Sequence, residues 1–434
     1  MPGEHPGERR ESGGRGMGQV LASSWALLLG IGLLMVGNGV QGTLLGVRGA
    51  IEGFTTFQMS LVMSAYFLGF LGGSWLAPEL IRRVGHVRVF AALGSLISAV
   101  LVLYAAVPDW IAWTFLRMLV GFCFAGVYVT AESWLNNAAS NETRGQALSL
   151  YMIVQMLGII AAQGLMNLAD PAGFMLFVIP SVLVSLAFTP ILLSISPAPV
   201  FDTTKPMSFR RLYAISPLGC VGMFLMGGVY SALFGMAAVW GSLAGLSVFE
   251  ITLFIAAIFT GGLLFQYPIG WVSDRMDRRR LIAIVAGAGA LVMALTVVLD
   301  LGLYPFLVVG MLIGGISNPL YSLLLAYTSD YLEREDMAAA SGGLIFINGL
   351  GAVAGPVLTG WIMEVVGPNG YFVYIGVLSA LVAAYALYRM SKRPAPGSDE
   401  TGAYAIVTPA ASALAMEAVY DAAQDEQEDA GPAA

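Results

Sequence analysis

The chain has 434 residues, of which 58% are hydrophobic and only 11% are charged. A soluble globular protein carries about 25% charged residues, so this composition excludes a soluble enzyme, a nucleic-acid-binding protein and a disordered regulator. The net charge of −7 belongs to the C-terminal tail, because eight of the 27 acidic residues follow Arg393 and no basic residue does. The sequence therefore predicts an all-α polytopic membrane protein.

Charged residues divide the chain into apolar runs, and each run is long enough to cross a bilayer. About 20 residues at 1.5 Å rise cross a hydrocarbon core of roughly 30 Å. Eleven runs contain no charge, and a twelfth is interrupted only by Arg117. In chain order the twelve predicted transmembrane spans lie within 16–47, 53–78, 89–108, 110–131, 145–169, 171–201, 212–249, 251–273, 281–299, 301–329, 337–363 and 365–388.

The distribution of Lys and Arg predicts the orientation of these spans. With a cytoplasmic N-terminus, 18 of the 20 basic residues fall in cytoplasmic segments, as the positive-inside rule requires. The two exceptions are Arg48, near the outer end of span 1, and Arg117, within span 4. Splitting the run 212–249 into two spans would place the cluster Arg275–Arg280 outside, so we interpret it as one span. Both termini are expected to be cytoplasmic.

A Pro-rich connection divides the spans into two sets of six, and the two sets resemble each other at an offset of 193 residues. This offset pairs Tyr128 with Tyr321 and Glu142 with Glu335. Parallel repeats of this kind are a transporter architecture. The expected organisation is a cytoplasmic segment (1–18), a six-helix bundle (19–195), a linker (196–212), a second six-helix bundle (213–390) and an acidic, disordered cytoplasmic tail (391–434) with a short helix within 409–424.

Three motifs give the chain its resemblance to the major facilitator superfamily. The loop Gly270-Trp-Val-Ser-Asp274-Arg275-Met-Asp277-Arg278-Arg279-Arg280 is similar to the family signature G-x-x-x-D-R-x-G-R-R, with Asp277 in place of the second Gly. Arg117-Met-Leu-Val-Gly121 is similar to the family's R-x-x-x-G, and Asn141-Glu-Thr-Arg144-Gly145 forms a third match. The loop between spans 2 and 3 departs from the signature, because Pro78 and Arg82 stand where the family has Gly and Asp.

Span 4 carries the two residues most suggestive of transport chemistry, Arg117 and Glu132. They are about 22 Å apart along a helix and cannot pair directly. A charge near the bilayer centre is costly, so it faces a cavity or the bundle interior. Arg117 is expected to anchor substrate or assist proton coupling, or else to pair structurally with a carbonyl. Glu132 is a candidate for proton coupling, with snorkelling to the interface as the alternative.

The resemblance also implies which residues line a central cavity, because spans 1, 4, 7 and 10 surround it in this family. The candidates are Asn38, Gln41, Tyr128, Tyr230, Asn318 and Tyr321. Amides and phenols can hydrogen-bond a solute without adding charge, although bonding between helices explains each of them equally well. Gln155, Gln163, Gln266 and Asn348 are weaker candidates.

The charged loops are expected to form a gate on the cytoplasmic side. Asp274, Arg275 and Arg278 should lie beside the start of span 5, near Glu142 and Arg144. By pseudo-symmetry Arg82, Arg83 and Arg88 should face Glu333, Glu335 and Asp336 as a charge zipper. The alternative is that these charges serve membrane topology alone.

The sequence thus predicts a secondary active transporter of a small organic solute that works by alternating access, with protons as the coupling ion and efflux favoured over uptake. No Walker motif, metal-ligand set or nucleophile–base pair is present, so we expect no cofactor, no metal and no enzymatic activity. The expected partners are solute, protons and lipid, with no nucleic acid, and the chain should act as a monomer in a bacterial inner membrane. The alternative is a non-transporting membrane receptor or assembly factor on the same fold.

Overall fold

The computed structural model describes residues 6–138, 143–193, 207–299, 301–332 and 334–392, together with eight residues of the C-terminal tail. Within these ranges every regular element is helical. The helices are α1 Pro6–Ile51, α2 Thr56–Val84, α3 His86–Ala106, α4 Trp110–Ala138, α5 Arg144–Leu165, α6 Met175–Leu193, α7 Phe209–Ile215, α8 Pro217–Ser231, α9 Ala237–Leu243, α10 Val248–Ser273, α11 Arg278–Val298, α12 Leu303–Ser329, α13 Arg334–Val366 and α14 Gly370–Met390. A π-helical segment, Ala232–Met236, joins α8 to α9.

Eleven helical stretches in the described part of the chain are long and apolar enough to cross a membrane, and the apolar stretch Met175–Pro190 of α6 is a shorter twelfth. Spans 1–6 are α1–α6, span 7 is α8 with the π segment and α9, and spans 8–12 are α10–α14. The run 212–249 is longer than span 7, because its first residues belong to α7, which precedes the span. Ser216 caps α8 and Pro217 occupies its first turn, where the missing N–H of proline costs nothing.

The two halves pack in the same pattern. In the first half α2 packs against α4, α1 against α5 and α6, and α3 against α4 and α6. In the second half α10 packs against α12, α8 against α13 and α14, and α11 against α12 and α14. Each contact of the first half therefore has its counterpart in the second. The predicted fold of two pseudo-symmetric six-helix bundles is confirmed.

Glycines set the closest helix crossings of both halves. A Cβ atom on Gly69 of α2 would lie 1.8 Å from a backbone oxygen of α4, and one on Gly121 of α4 would lie 2.0 Å from a backbone oxygen of α2. Gly261 and Gly314 make the equivalent crossing of α10 and α12. A Cβ atom on either glycine would lie 1.8 Å from a backbone oxygen of the other helix. Gly121 and Gly314 are 193 residues apart, so the repeat extends to the crossing point.

The two faces of the bundle differ in charge and in how the halves meet. The basic face holds the α2–α3 and α10–α11 connections and the C-terminal end of α14. Toward the opposite face, hydrogen bonds join the halves directly: Phe57 N to Glu364 Oε1 at 3.0 Å, Ser64 Oγ to Val353 O at 2.6 Å and Asn167 Nδ2 to Thr252 Oγ1 at 3.1 Å. At the basic face the described residues of the C-terminal tail contact both halves. The opposite face is therefore the closed one.

Candidate functional site

A cavity of about 140 Å³ lies between the two halves of the bundle. Helices α1, α2, α4 and α5 line it from the first half, and α8, the π segment, α9, α10, α12 and α13 line it from the second. The π segment contributes Phe234 and Gly235, and such single-turn irregularities in helices occur frequently at functional sites. A pocket at the interface of two repeats is where transporters of this architecture bind solute.

Arg117 is the single cation among the described lining residues, and no carboxylate lines the cavity with it. Its side chain is 5% exposed. The guanidinium donates from Nη1 to Gln41 Oε1, and its centre lies 4.6 Å from the ring centroid of Tyr66. Both contacts orient the cation, but neither neutralises it. A buried charge without a counterion is costly, so an anion entering the cavity would gain a strong partner.

Two donors at the cavity have no hydrogen-bond partner in the described structure. These are Arg117 Nε and Gln155 Nε2. Leaving a buried donor unpaired costs about 1–3 kcal/mol. This wall of the cavity can therefore donate further hydrogen bonds to a solute. A carboxylate, phosphate or sulfonate group supplies the acceptors.

Seven of the described lining residues are aromatic. Phe70 packs against Tyr128 at 5.9 Å between ring centroids, and Phe234 lies 4.3 Å from Tyr230 and 4.5 Å from Phe259. Met35 and Met156 add flexible thioethers, which adapt to varied apolar shapes. The cavity thus offers one cationic, donor-rich region and a large apolar surface.

The cavity contains five of the eight residues that the sequence pointed to as substrate or coupling candidates: Arg117, Asn38, Tyr128, Tyr230 and Asn318. Gln41 stands behind the lining and holds Arg117 instead. Tyr321 is buried in α12 outside the lining. Of the weaker candidates, Gln155, Gln163 and Asn348 reach the cavity, whereas Gln266 bonds Ser322 Oγ at 3.0 Å outside it.

Tyr66 of α2 is a cavity residue beside Arg117 that the sequence did not point to. It stacks on Arg117 and lines the cavity, although α2 is not among the helices that the family resemblance assigns to the lining. The glycines Gly69 and Gly73 carry a usable signal, because they bring the backbone of α2 against α4. Tyr66 lies one turn from Gly69 and is therefore carried to the face of α4 that presents Arg117.

Glu132 lies outside the cavity lining, one helical turn from Tyr128 toward the basic face. Its side chain is fully buried. Oε1 accepts a hydrogen bond from Tyr151 Oη at 3.1 Å, and Oε2 accepts one from the backbone N–H of Ser412 at 2.8 Å. The carboxylate therefore does not reach the membrane interface by snorkelling. It lies on the path between the cavity and the basic face.

The signature loop forms a compact ion-pair cluster at the basic face. Arg278 is buried and pairs with Asp330 at the end of α12, while its Nη2 lies 3.6 Å from Asp274 Oδ1. Asp277, the departure from the family signature, caps α11 by accepting from Arg279 N at 3.0 Å. Burial acts to raise the pKa of Asp277, but hydrogen bonds from Arg279 outweigh it and hold that pKa below its usual range.

The charge zipper expected between the 2–3 loop and the start of span 11 is not the pairing found. Arg82 and Arg83 both bond Glu79 on their own helix, at 2.8 and 2.5 Å. Asp336 instead pairs with Arg211 at 2.6 Å. A partner three or four residues away on one helix is always within reach, whereas the zipper requires the halves to meet at this face. The side chains of Arg144, Glu142, Glu333 and Glu335 lie outside the described residues.

Two other gate residues have partners that differ from the expected ones. Arg275 packs on Trp271, with its guanidinium 4.0 Å from the ring centroid, and donates to Trp271 O at 2.9 Å. Asp274 was expected beside the start of span 5, but its Oδ1 accepts from the backbone N–H of Tyr404 at 3.0 Å. In this conformation the tail supplies a hydrogen-bond partner of Asp274.

Two pseudo-symmetric six-helix bundles around a polar and aromatic cavity define a polytopic membrane transporter. The sequence profile of the Major Facilitator Superfamily matches residues 27–262 and 219–420, and the chain belongs to this family. This is a family of membrane transporters and not of enzymes, which confirms both the resemblance and the predicted class.

Two similar curated proteins are described as MFS-type transporters. A protein of Yersinia pestis (strain Pestoides F), described as an uncharacterized MFS-type transporter, is 28% identical over 382 residues, covering 85% of this chain and 95% of the relative. The uncharacterized MFS-type transporter YcaD of Salmonella arizonae is 25% identical over 380 residues, covering 85% and 96%.

Among solved structures, a mutant of the nucleoside transporter NupG matches with a TM-score of 0.72 and 16% identity, covering 84% of this chain and 99% of that one. A D-xylose-proton symporter matches with a TM-score of 0.67 and 14% identity, covering 87% and 99%. At these identities the likeness shows the shared fold.

Proposed function

We propose that the protein is a secondary transporter of a small organic anion with an apolar or aromatic body, working by alternating access in a bacterial inner membrane. The observation that carries the proposal is Arg117, a buried cation in the cavity wall with no carboxylate partner among the described residues. Its unpaired Nε and the unpaired amide of Gln155 supply donors for an acid group. The aromatic walls supply a surface for the rest of the solute.

Taking the basic face as cytoplasmic, as the positive-inside rule requires, the described conformation is closed toward the outside. Transport then requires the contacts between Phe57 and Glu364 and between Asn167 and Thr252 to open while the basic face closes. Each half would move largely as a rigid body, since its helices pack closely through glycine crossings. The charge zipper expected from the sequence belongs to the outward-facing state in this scheme.

The direction of transport and the coupling ion are inferred from the charge of the solute and of the bundle. With the cell interior negative, an exported monovalent anion gains about 2.3 kcal/mol per 100 mV of membrane potential, which favours efflux. Glu132 is our candidate for the proton-carrying group, because it is the buried carboxylate between the cavity and the basic face. The D-xylose-proton symporter with the same fold shows that this architecture accommodates proton coupling.

The test of the solute class is a thermal-shift comparison of matched acids and amides on the purified protein. Each aromatic or aliphatic monocarboxylate is compared with its amide; benzoate and benzamide form one pair of nearly equal shape. The acid should raise the melting temperature and the amide should not, since a ligand stabilises the state that binds it. Arg117→Gln should weaken acid binding roughly 10- to 100-fold, because a hydrogen bond to a charged group contributes about 1.5–3 kcal/mol.

Arg48→Gln is the matched control for this experiment. Arg48 is the other basic residue outside the basic face, but it pairs with Glu52 at 2.6 Å and donates to Pro171 O at 3.0 Å, away from the cavity. Its loss can lower the baseline melting temperature while the shift caused by an acid persists. Equal stabilisation by amides and acids, or an unchanged response in Arg117→Gln, would refute the anion proposal.

Flux measurements separate transport from the receptor or assembly alternative. An acid identified by thermal shift should move into or out of proteoliposomes containing the wild-type chain, and Arg117→Gln should slow the movement. Binding without any flux, under both a pH gradient and a membrane potential, would favour the receptor.

A further inference from the structure

The described residues of the C-terminal tail lie between the two halves rather than in solvent, where the sequence placed a disordered acidic tail. Val407, Ala411, Ala415 and Met416 are each at most 2% exposed, and Val419 is 6% exposed. These residues belong to a C-terminal segment, residues 404–419, of which the structure describes Tyr404, Ile406, Val407, Ala411, Ser412, Ala415, Met416 and Val419. Burial of this kind requires a complementary site on the bundle.

Backbone hydrogen bonds tie the segment to the second half. The N–H of Val407 donates to Ser322 Oγ at 3.1 Å, and Ser322 Oγ donates to Val407 O at 2.9 Å. The N–H of Tyr404 donates to Asp274 Oδ1 at 3.0 Å. The ring of Tyr404 packs over Gly270, where an added Cβ would lie 2.5 Å from the ring. The ends of α10 and α12 thus hold the first part of the segment.

A fourth hydrogen bond ties the segment to the first half. The N–H of Ser412 donates to Glu132 Oε2 at 2.8 Å. Ser412 also caps a helical turn, since its Oγ accepts from Ala415 N at 3.3 Å and its carbonyl from Met416 N at 3.1 Å. The carboxylate of Glu132 therefore meets the N-terminal end of this turn, where free N–H groups favour a negative charge.

The position of these contacts relative to the cavity decides their meaning. Glu132 lies four residues beyond Tyr128 on α4, and Ser322 lies four residues beyond Asn318 on α12. Tyr128 and Asn318 both line the cavity, and four residues of helix span about 6 Å. The segment therefore lies one helical turn below the cavity on both sides, across the route to the basic face.

The sequence of the segment suits this place. Residues 401–416 contain no charged residue, whereas Asp399 and Glu400 precede them and Glu417 and Asp421 follow. The uncharged stretch can enter the bundle, while acidic flanks are attracted to a face rich in arginine. The 12 residues from Lys392 to Tyr404 span up to about 40 Å when extended, which is ample for the return.

We propose that the C-terminal segment is an intramolecular plug that closes the cytoplasmic route to the cavity and holds the two halves apart at the basic face. While Ser412 is bonded to Glu132 and Val407 to Ser322, solute cannot enter or leave through this face. The halves cannot close on each other there either, so the transporter is held in the described conformation until the segment leaves. This proposal does not depend on the nature of the solute.

Thiol accessibility tests the plug without a known substrate. In a background of Cys123→Ala and Cys220→Ala, the variant Ser322→Cys should react with a water-soluble maleimide at least tenfold faster when the chain is truncated after Lys392. Ser208→Cys, an exposed site on the same face, should react equally in both chains. Equal reactivity of Ser322→Cys in full-length and truncated protein would overturn the proposal.

A synthetic peptide of residues 401–420, carrying two added lysines for solubility, provides the second arm. Added to the truncated Ser322→Cys protein, it should restore protection. A peptide with Ser412→Pro lacks the N–H that Glu132 accepts and should protect much less than one with Ser412→Ala, which lacks the hydroxyl but keeps the N–H. Equal protection by both peptides would refute the bond to Glu132 as the anchor.

Substitutions in the full-length chain guard against misfolding of the truncated protein. Ser412→Pro should expose Ser322→Cys in a chain that is otherwise intact, and Ser412→Ala should expose it less. If full-length Ser412→Pro and Ser412→Ala both leave Ser322→Cys as protected as the parent, the segment does not plug the route.

Discussion

At the scale of single residues, α4 places two ionisable groups at different depths of the bundle. Arg117 faces the cavity, oriented by Gln41 and Tyr66, and Glu132 lies between the cavity and the basic face, bonded to Tyr151. Their separation by fifteen residues, about 22 Å of helix, prevents them from neutralising each other. The two roles proposed for this helix, solute recognition by Arg117 and proton transfer by Glu132, can therefore be tested separately.

Glu132→Gln should abolish pH-driven accumulation of solute in proteoliposomes while retaining counterflow exchange. Gln has nearly the same volume, and its single amide oxygen can accept from the Ser412 N–H while its NH2 group donates to Tyr151 Oη, but it cannot release a proton. Tyr151→Phe is a useful comparison, because it removes the hydrogen bond and leaves the carboxylate. Undiminished pH-driven accumulation by correctly inserted Glu132→Gln protein would remove Glu132 from the mechanism.

Asp274→Asn should shift the balance between inward-facing and outward-facing states while changing solute affinity by no more than a few-fold. Asn keeps an acceptor for the Tyr404 N–H but loses the charge that faces Arg278 Nη2 at 3.6 Å. Distances between spin labels on the opposite face would report the balance, and a thermal-shift titration would report affinity. A large loss of affinity with an unchanged balance would place Asp274 in the binding site instead.

At the scale of elements, the crossings of α2 with α4 and of α10 with α12 set the shape of the cavity. Each crossing brings backbone within contact distance at a glycine, so neither pair can slide or rotate independently. The α2–α4 crossing also carries Tyr66 to Arg117. The π segment between α8 and α9 has no glycine crossing of this tightness, and it is where span 7 departs from regular helix beside the cavity.

Gly69→Ala should destabilise the protein by about 1–3 kcal/mol or more, the usual cost of overpacking. The added Cβ would lie 1.8 Å from Met118 O, and a backbone atom cannot move aside alone. Gly72→Ala is the matched control one turn away, because nothing lies within 4 Å of its Cβ. Melting curves of both variants in the same detergent give the comparison, and equal melting temperatures would contradict the assigned crossing.

At the scale of the whole molecule, two similar halves meet closely toward one face and are bridged by the C-terminal segment at the other. The hydrogen bonds of Phe57, Ser64 and Asn167 across the interface are few and mostly lie near the membrane surface. Interfaces of this kind can open and close without disturbing the interior of either half. Alternating access therefore needs no change of fold within a half.

A topology reporter fused after Arg393 should be cytoplasmic, and one inserted between Pro108 and Asp109 should be periplasmic. The physical reason is the placement of 18 of the 20 basic residues on one side of the predicted spans. Paired alkaline phosphatase and fluorescent protein fusions at each site give opposite signals on the two sides of the membrane. The reverse pattern would contradict the orientation used throughout the proposed mechanism.

Sequence alone determined the class, the spans and the family of this protein, because each depends on local composition. A hydrophobic run of sufficient length has to cross the membrane or be buried, and a motif such as Arg117-Met-Leu-Val-Gly121 is read directly from neighbouring residues. The repeat offset of 193 also predicted which helices would correspond. Of the six candidates inferred from the helices that face inward in this family, four line the cavity.

Tertiary structure alone decided contacts between residues that are distant in sequence. Tyr66 joins Arg117 through a helix crossing, Gln41 bonds the arginine rather than lining the cavity, and Arg82 and Arg83 pair with Glu79 on their own helix. The C-terminal tail is the clearest example of burial that composition does not predict. Its eight acidic residues predict a solvated segment, yet Val407, Ala411 and Met416 are buried. A sequence records the polarity of a segment, whereas its burial depends on whether the rest of the fold presents a site of matching shape and hydrogen-bonding groups.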